Sequence, residues 1–516
     1  MSAARAAAIP SALASAIIGL AFVVPEVALQ PVVQASFFGA AAVLFLGAAG
    51  LLVVGRDGRS LIVERAIKTP HWVQLSAQGS LMLFWGWHVR AVYGNLPLLF
   101  GQLLFAYGLD ALIQMMRDGR YRVGFGPVPI VISINFFLWF KPEFYYWQFV
   151  IVALGYAAKS FIHWQRNGTK RHIFNPSSFP LSIFSVVLIL TGTTDATYGL
   201  EVAQTLFNPD FIYLAVFLVA LPGQFLFGVA TMTIAAVVTA YTWSALYFGV
   251  TGTFFFRDAY IPIAVFLGMH LLFTDPATSP KSEQGRVIYG VLYASFTIAL
   301  AQLLESTGAP TFYDKLLPIP ILNLMVRRID RWAELPFLRA LEPARLLSFT
   351  GLIPRHATAL LWAGVFGSLV AVGGVGDDHP GQYLPFWEEA CEEGSERACN
   401  YVVFVQQVYC DRGSGWACNA RGITLATHFG DRNAARGDFE RACALSFGPG
   451  CENVIHVASG GGSFASDPPP LDELPIVIRG SKGAVMETEA EALTRLACER
   501  GWSDFCASAA QAGATE

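Results

Sequence analysis

Charge is scarce in this chain. Asp, Glu, Lys and Arg make up only 14% of it, against roughly 25% in soluble domains, and the net charge of −4 includes no basic tract. An electrostatic nucleic-acid binder is therefore excluded, and so is an ordinary soluble domain. Cysteine is missing from the first 390 residues, which leaves no thiolates there for an iron–sulfur cluster, and no paired in-span histidines offer axial ligands to a haem. Redox chemistry in that part of the chain would need flavin or quinone.

What is present is apolar surface. Hydrophobic residues make up 54% of the chain and mean hydropathy is +0.48, the composition of a membrane protein. The long apolar runs stop near Gly374, whereas residues 376–516 are polar and hold all eight cysteines. Two parts follow: a transmembrane helical bundle over 1–375 and a soluble domain over 376–516. Runs able to supply about 20 helical residues number thirteen between residues 9 and 374. The runs at 9–26, 127–140, 210–222 and 312–326 are short or interrupted by proline, so we expect eleven to thirteen spans. Arg5 and the Ala-rich stretch behind it read as a retained first span rather than a cleaved signal peptide.

Lys and Arg concentrate in cytoplasmic loops. Alternate loops here carry nineteen of them, including Arg5, Arg56, Arg59, Lys68, Lys281, Arg327 and Arg345, while the loops between hold only Arg90, Lys141, Arg257 and Lys315. This predicts a bacterial inner-membrane protein with a cytoplasmic N-terminus and a periplasmic C-terminal domain. The cysteines agree. They fall as Cys391/Cys399, Cys410/Cys418, Cys443/Cys451 and Cys498/Cys506, each pair enclosing seven residues. Zinc ligand pairs normally lie two to four residues apart. Local disulfides, which persist in oxidising compartments, are therefore expected, each stapling a Gly-containing turn between two helices. Units such as "ACEEGSERAC" and "YCDRGSGWAC" resemble the cysteine-rich helical repeats of secreted Hcp-type proteins, over about residues 385–512. That resemblance implies a surface for protein partners, or else a cap with no partner. "GGGSFASDPPP" at 460–470 reads as a linker.

Two polar stretches interrupt the apolar part: "AKSFIHWQRNGTKRHIFNPSSFPLS" at 158–182 and "MHLLFTDPATSPKSEQGRVIYG" at 269–290. Together, "NGTKRHIFNPSSF" and "LFTDPATSPKSEQGRVIYG" resemble the two signature segments of the RnfD/NqrB family, membrane subunits of flavin-containing electron transport complexes. The resemblance spans about residues 65–335 and leans toward RnfD-like proteins of the UnbU type. It implies a helical bundle holding flavin, with FMN attached to a Thr in an S-G-A-T-like motif. Here the corresponding loop, 191–209, is short and offers only Thr191-Gly192-Thr193-Thr194, so Thr194 is the candidate attachment point and noncovalent FMN or riboflavin, or quinone, is the main expectation.

The residues assigned to such a ligand are Lys170, Arg171, His172, Asn175, Pro176 and Ser177 in the first stretch, and Thr274, Asp275, Thr278 and Ser279 in the second. Hydroxyls and backbone N–H groups at a broken helix could bind a ring edge or a ribityl chain; equally, Asn175, Asp275 and the serines, Ser178 and Ser282 included, could cap the helices that follow. Other polar residues within spans, Asp110, Asn135, Lys159 and His88, are candidates for a ligand or an ion path. Trp85, Trp87, Trp139 and Trp147 fit an interfacial belt. The expected function is membrane electron transport, with a redox partner docked on 376–516. The alternatives are a non-redox transporter of a small solute or ion, and a membrane scaffold.

Overall fold

The computed structural model describes residues 2–54, 62–67, 69–166, 168–199, 202, 205, 211–340, 342–343, 353–376, 379–459, 463–467, 498 and 506. Arg56, Arg59, Lys68 and Arg345, most of the 460–470 linker and the helices of the fourth cysteine unit lie outside them. The protein is mostly helical, 75% helix against 4% strand. Its contacts divide it into two compact units, Met1–Ala240 with Ile261–Val372, and Tyr241–Tyr260 with Gly373–Glu516. Residues Tyr241–Tyr260, which the apolar runs assign to the bundle, thus belong with the cysteine-rich unit.

In the first unit the principal helices are α1 Ala3–Val23, α2 Pro31–Val54, α3 Thr69–His88, α4 Leu96–Asp118, α5 Pro127–Asn135, α6 Tyr146–Phe161, α7 Ser178–Thr191, α8 Ile212–Phe227, α9 Ala230–Thr251, α10 Ile263–Leu267, α11 Glu283–Ser306, α12 Pro318–Ala333 and α13 Pro354–Ala371. Helix α9 continues into the second unit. Two short pairings accompany them: β1 Ile62–Arg65 parallel to β2 Arg120–Val123, and the hairpin of β3 His163–Arg166 with β4 Thr169–His172. Among the described residues five helices, α1, α2, α4, α9 and α11, are long and apolar enough to cross a bilayer. They mark a membrane protein.

The thirteen runs do not all become spans. Helix α5, expected over 127–140, has nine residues, eight of them buried. The run at 259–274 yields α10 and a π-helical turn at Gly268–Leu272, together ten residues and nearly all buried. At 1.5 Å per residue each piece rises roughly 14–15 Å, half of an apolar core of about 30 Å. Both are half-helices enclosed by their neighbours, and apolar on every side for that reason. The run at 312–326 is displaced toward its basic end: α12 buries Ile319, Leu322, Asn323, Val326 and Ile329 while Arg327, Arg328 and Arg331 stay exposed.

Inside a bilayer every backbone polar group must find a partner, and the π-helical turn frees carbonyls that other elements then take up. Thr233 Oγ1 donates to Met269 O at 3.2 Å, and Asn175 Nδ2 donates to Leu272 O at 2.8 Å. The loop holding Asn175 comes this close because α6 carries Gly155, where a Cβ would collide with the carbonyl of Pro176.

In the second unit, α14 Leu384–Glu392, α15 Glu396–Asp411, α16 Gly415–Thr427, α17 Arg432–Ala444 and α18 Gly448–Ala458 pack successively. Four disulfides join Cys391–Cys399, Cys410–Cys418, Cys443–Cys451 and Cys498–Cys506, with Cα–Cα distances of 4.6 to 4.7 Å. The pairing is the one read from the spacing. The first two staples share α15, which carries Cys399 at its start and Cys410 at its end. Gly394 and Gly413 adopt the left-handed φ (93° and 99°) that lets each turn reverse tightly. Ser395 and Ser414 then cap the next helices by accepting from Ala398 N and Ala417 N.

Candidate functional site

The two polar stretches meet at one cavity in the first unit, of about 220 Å³. From the first stretch come Lys159, His172, Asn175, Pro176 and Ser177; from the second come His270, Thr274 and Asp275. Helices α3, α5 and α8 close it with His71, Gln78, Ser133 and Gln224. Of the residues assigned from sequence, Lys170, Arg171, Thr278 and Ser279 do not line the cavity. Lys170 and Arg171 stand on the outer part of β4, and only the end of that strand turns His172 inward.

Much of the motif chemistry is structural. Asn175 Oδ1 accepts from the backbone N–H groups of Ser177 and Ser178, at 2.9 and 3.1 Å, and from the Ser177 hydroxyl at 2.8 Å. Asn175 is thus the cap of α7, while its own N–H donates to Asn323 Oδ1 at 3.0 Å. Asp275 closes the following turn: Oδ1 accepts from Ala277 N at 3.0 Å and Oδ2 from Thr278 Oγ1 at 3.1 Å. Thr274 bonds back to His270 O at 2.8 Å, and Ser282 caps α11 through Gly285 N at 3.0 Å. Arg166 secures the second loop from below, donating to Ser279 O at 3.0 Å and pairing with Asp330 at 2.6 Å.

What remains faces the cavity. His172 Nε2 lies 3.5 Å from Asp275 Oδ2. Burial pushes the Asp275 carboxyl up, but His172, the Ala277 N–H and the Thr278 hydroxyl outweigh it and hold the group below the usual carboxylate range. Gln78, Gln224 and His270 are 5%, 2% and 2% exposed, and Gln78 Oε1, Gln224 Oε1 and His270 Nε2 have no hydrogen-bond partner among the described residues. A buried polar atom without a partner costs about 1–3 kcal/mol, and all three here are acceptors, since His270 Nδ1 donates to Phe266 O at 2.7 Å; around one space they suit a ligand that donates hydrogen bonds. Only single polar residues in apolar runs, such as Gln78 and Gln224, could have hinted at them from sequence.

A second cavity, of about 450 Å³, begins where α5 ends. Trp85, Trp139, Phe140, Tyr145 and Tyr198 give it aromatic walls, and Gln102, Asn135 and Gln148 supply amides. Those amides form a chain: Asn135 Nδ2 donates to Gln102 Oε1 at 2.8 Å, Gln102 Nε2 to Tyr145 Oη at 3.0 Å, and Gln148 Nε2 to Asn135 Oδ1 at 3.5 Å and to Leu138 O at 3.2 Å. Trp85, 1% exposed, keeps Nε1 without a hydrogen-bond partner. Trp85 and Trp139 are thus walls of a cavity rather than belt residues, in contrast to the exposed Trp87 and Trp147. Thr194 lines neither cavity and sits in a 3-10 turn, Thr194–Ala196. Among the other candidates, Asp110 is buried and accepts from Gln114 Nε2 at 2.8 Å, whereas His88 is exposed at the end of α3.

In the second unit His428 lies within 4.8 Å of Cys391 and Cys399, a spacing a metal ion could use, but both sulfurs are spent in their disulfide. No protein-family model, curated protein or solved structure matches the chain.

Proposed function

We propose that the chain is an inner-membrane electron-transport protein of the RnfD/NqrB type that binds flavin noncovalently, or quinone, and docks a redox partner through its periplasmic cysteine-rich repeats. The observation that carries this reading is the aromatic cavity beside α5. Its 450 Å³ falls within the roughly 300–1,000 Å³ of ordinary ligand sites. Its rings can stack on a planar heterocycle, and Trp85 Nε1, which has no hydrogen-bond partner among the described residues, can donate to a ring carbonyl. A bound flavin or quinone would supply the capacity to accept and pass on electrons. The protein's part is to hold the ring, orient it through the amide chain and exclude water from it.

The motif cavity supports the same reading as a polar station at the opposite end of α5, where His172 and Asp275 can hold a proton between Nε2 and Oδ2. Purified protein should carry a flavin or quinone spectrum that solvent extraction removes without hydrolysis. Trp85→Ala combined with Asn135→Ala should abolish that spectrum while the four disulfides still form. A colourless preparation that remains functional in membranes would sink the redox reading, and a spectrum that resists extraction would overturn the noncovalent one.

A specific observation favours a second reading, a non-redox transporter of a small polar solute or ion. The motif cavity, at 220 Å³, is smaller than a typical cofactor site, and half-helices ending inside a bilayer are where transporters bind such ligands. Uptake into vesicles that depends on His172 and Asp275, with no bound chromophore, would decide for it.

A further inference from the structure

The helical repeats of the second unit hold one of the chain's own loops as a ligand would be held. Residues 463–467 lie across α16, α17 and α18 without helix or strand of their own. Asn453 Nδ2 donates to Ala465 O at 2.7 Å and Asn453 Oδ1 accepts from Ala465 N at 2.7 Å. Asn419 Nδ2 donates to the same carbonyl at 3.1 Å. Both asparagines are almost wholly buried, and they are braced against each other through Asn453 Nδ2 and Asn419 Oδ1 at 2.9 Å. One residue's N–H and C=O are therefore both read by side-chain amides, a contact that depends on backbone and not on the side chain at that position.

On one side of the clamp Phe464 inserts against Phe439, with ring centroids 5.3 Å apart, in a cluster with Ala435 and Val457. On the other side Ser466 and Asp467 reach a cavity of about 270 Å³ between α14, α15 and α16. Its charged lining is Glu388, Glu392 and Asp467, together with His428. Burial, with Glu392 alongside, pushes the Glu388 carboxyl up to about 7. The loop thus matches the clamp and the aromatic slot but brings a third carboxylate to an acidic cavity. Like charges gathered in a partly buried site are unfavourable, and a cation there would relieve them.

We propose that this surface is a binding site for a partner segment carrying an aromatic residue, a small residue one place on, and a lysine or arginine two places after that. Residues 463–467 occupy the site as a weaker stand-in. The inference gives a surface and a partner chemistry to the docking role proposed above, and rests on that reading only in taking this unit as the docking one.

The test uses the full chain in detergent and fluorescein-labelled peptides Gly-Phe-Ala-Ser-Lys-Gly and Gly-Phe-Ala-Ser-Asp-Gly, read by polarisation. Phe464→Ala with Ala465→Pro vacates the site, since proline has no N–H for Asn453. This opened chain should bind the lysine peptide about tenfold more tightly than the native chain does, because the competing loop no longer holds the site. It should also prefer lysine over aspartate by about tenfold, the effect of one favourable charge replacing one unfavourable. Asn453→Ala in the opened chain should remove the binding.

An opened chain with its disulfides intact that binds neither peptide, or both equally, overturns the proposal. Should the opened chain fail to fold, hydrogen exchange at the Ala465 amide of the native chain decides. Saturating lysine peptide should speed it, and unchanged exchange overturns the proposal. Neither readout involves a chromophore or transport, so peptide binding by a colourless protein would count against the redox reading alone.

Discussion

Asn175 donates from Nδ2 to the carbonyl oxygen of Leu272 at 2.8 Å, across 97 residues of sequence. One amide ties the first polar stretch to the π-helical end of the half-helix that leads into the second. The same side chain caps α7 through Oδ1.

Asn175→Ala should accordingly remove a cap and leave the Leu272 carbonyl unpaired in an apolar setting. The expected loss is about 2–4 kcal/mol, the sum of a cap and an unsatisfied buried group. Thermal unfolding in detergent checks it. Asn175→Asp keeps the capping acceptor but sets a carboxylate oxygen where Nδ2 meets the Leu272 carbonyl, and should likewise unfold below the native chain. Equal midpoints for all three would contradict the structural role.

Asp275 makes acid the sensitive condition for the motif cavity. Its carboxyl is held below the usual carboxylate range in the folded protein, chiefly by His172 once burial is offset. A group with a depressed folded value binds fewer protons folded than unfolded, so its contribution is complete above the ordinary range near pH 4 and disappears as pH falls through the lowered value. Unfolding midpoints measured between pH 6 and pH 3 should drop more steeply for the native chain than for Asp275→Asn. Parallel curves would show that the pair with His172 carries no stability.

Glu388 predicts the opposite slope for the second unit. Its carboxyl, raised from 4.5 to about 7, binds more protons folded than unfolded between those values. Stability of that unit should therefore decline as pH rises from 5 to 7 and level off above. Glu392, Asp467 and His428 line the same cavity. Glu388→Gln should flatten most of the slope, and differential scanning measurements at several pH values would show whether it does.

The disulfides supply a fourth expectation. Closing a loop of about eight residues restricts the unfolded chain by about 2–3 kcal/mol. The paired replacement Cys410→Ser with Cys418→Ser should lower the stability of the second unit by that amount, since α15 and α16 meet at this staple. Dithiothreitol should have a larger effect on the native chain than on this variant. A variant as stable as the native chain would mean that packing around Trp387, Tyr401 and Trp416 holds those helices alone.

How legible the site was depended on the range of each interaction. His172, Asn175, Pro176, Ser177, Thr274 and Asp275 stand out because polar residues beside proline at the end of an apolar run need a local reason to be there. Gln78, Gln224, Ser133 and His270 do not, since one amide or imidazole in an apolar helix has the same local appearance whether it packs, bonds back or faces a cavity. Lys170 and Arg171 were drawn in by adjacency to His172, yet Lys170 is exposed, Arg171 is half-buried, and of β4 only its last residue lines the cavity.

Local sequence pattern determined that this is a helical membrane protein with a disulfide-stapled tail. Hydropathy and cysteine spacing act over a few residues, and their meaning does not depend on what the rest of the chain does. Tertiary structure decided that two apolar runs would be half-helices, that residues 241–260 would join the second unit, and that Asn419 and Asn453 would hold a loop of their own chain. Those outcomes depend on which carbonyls are left open and which side chain arrives to fill them, a matter of distances between segments that no local pattern encodes.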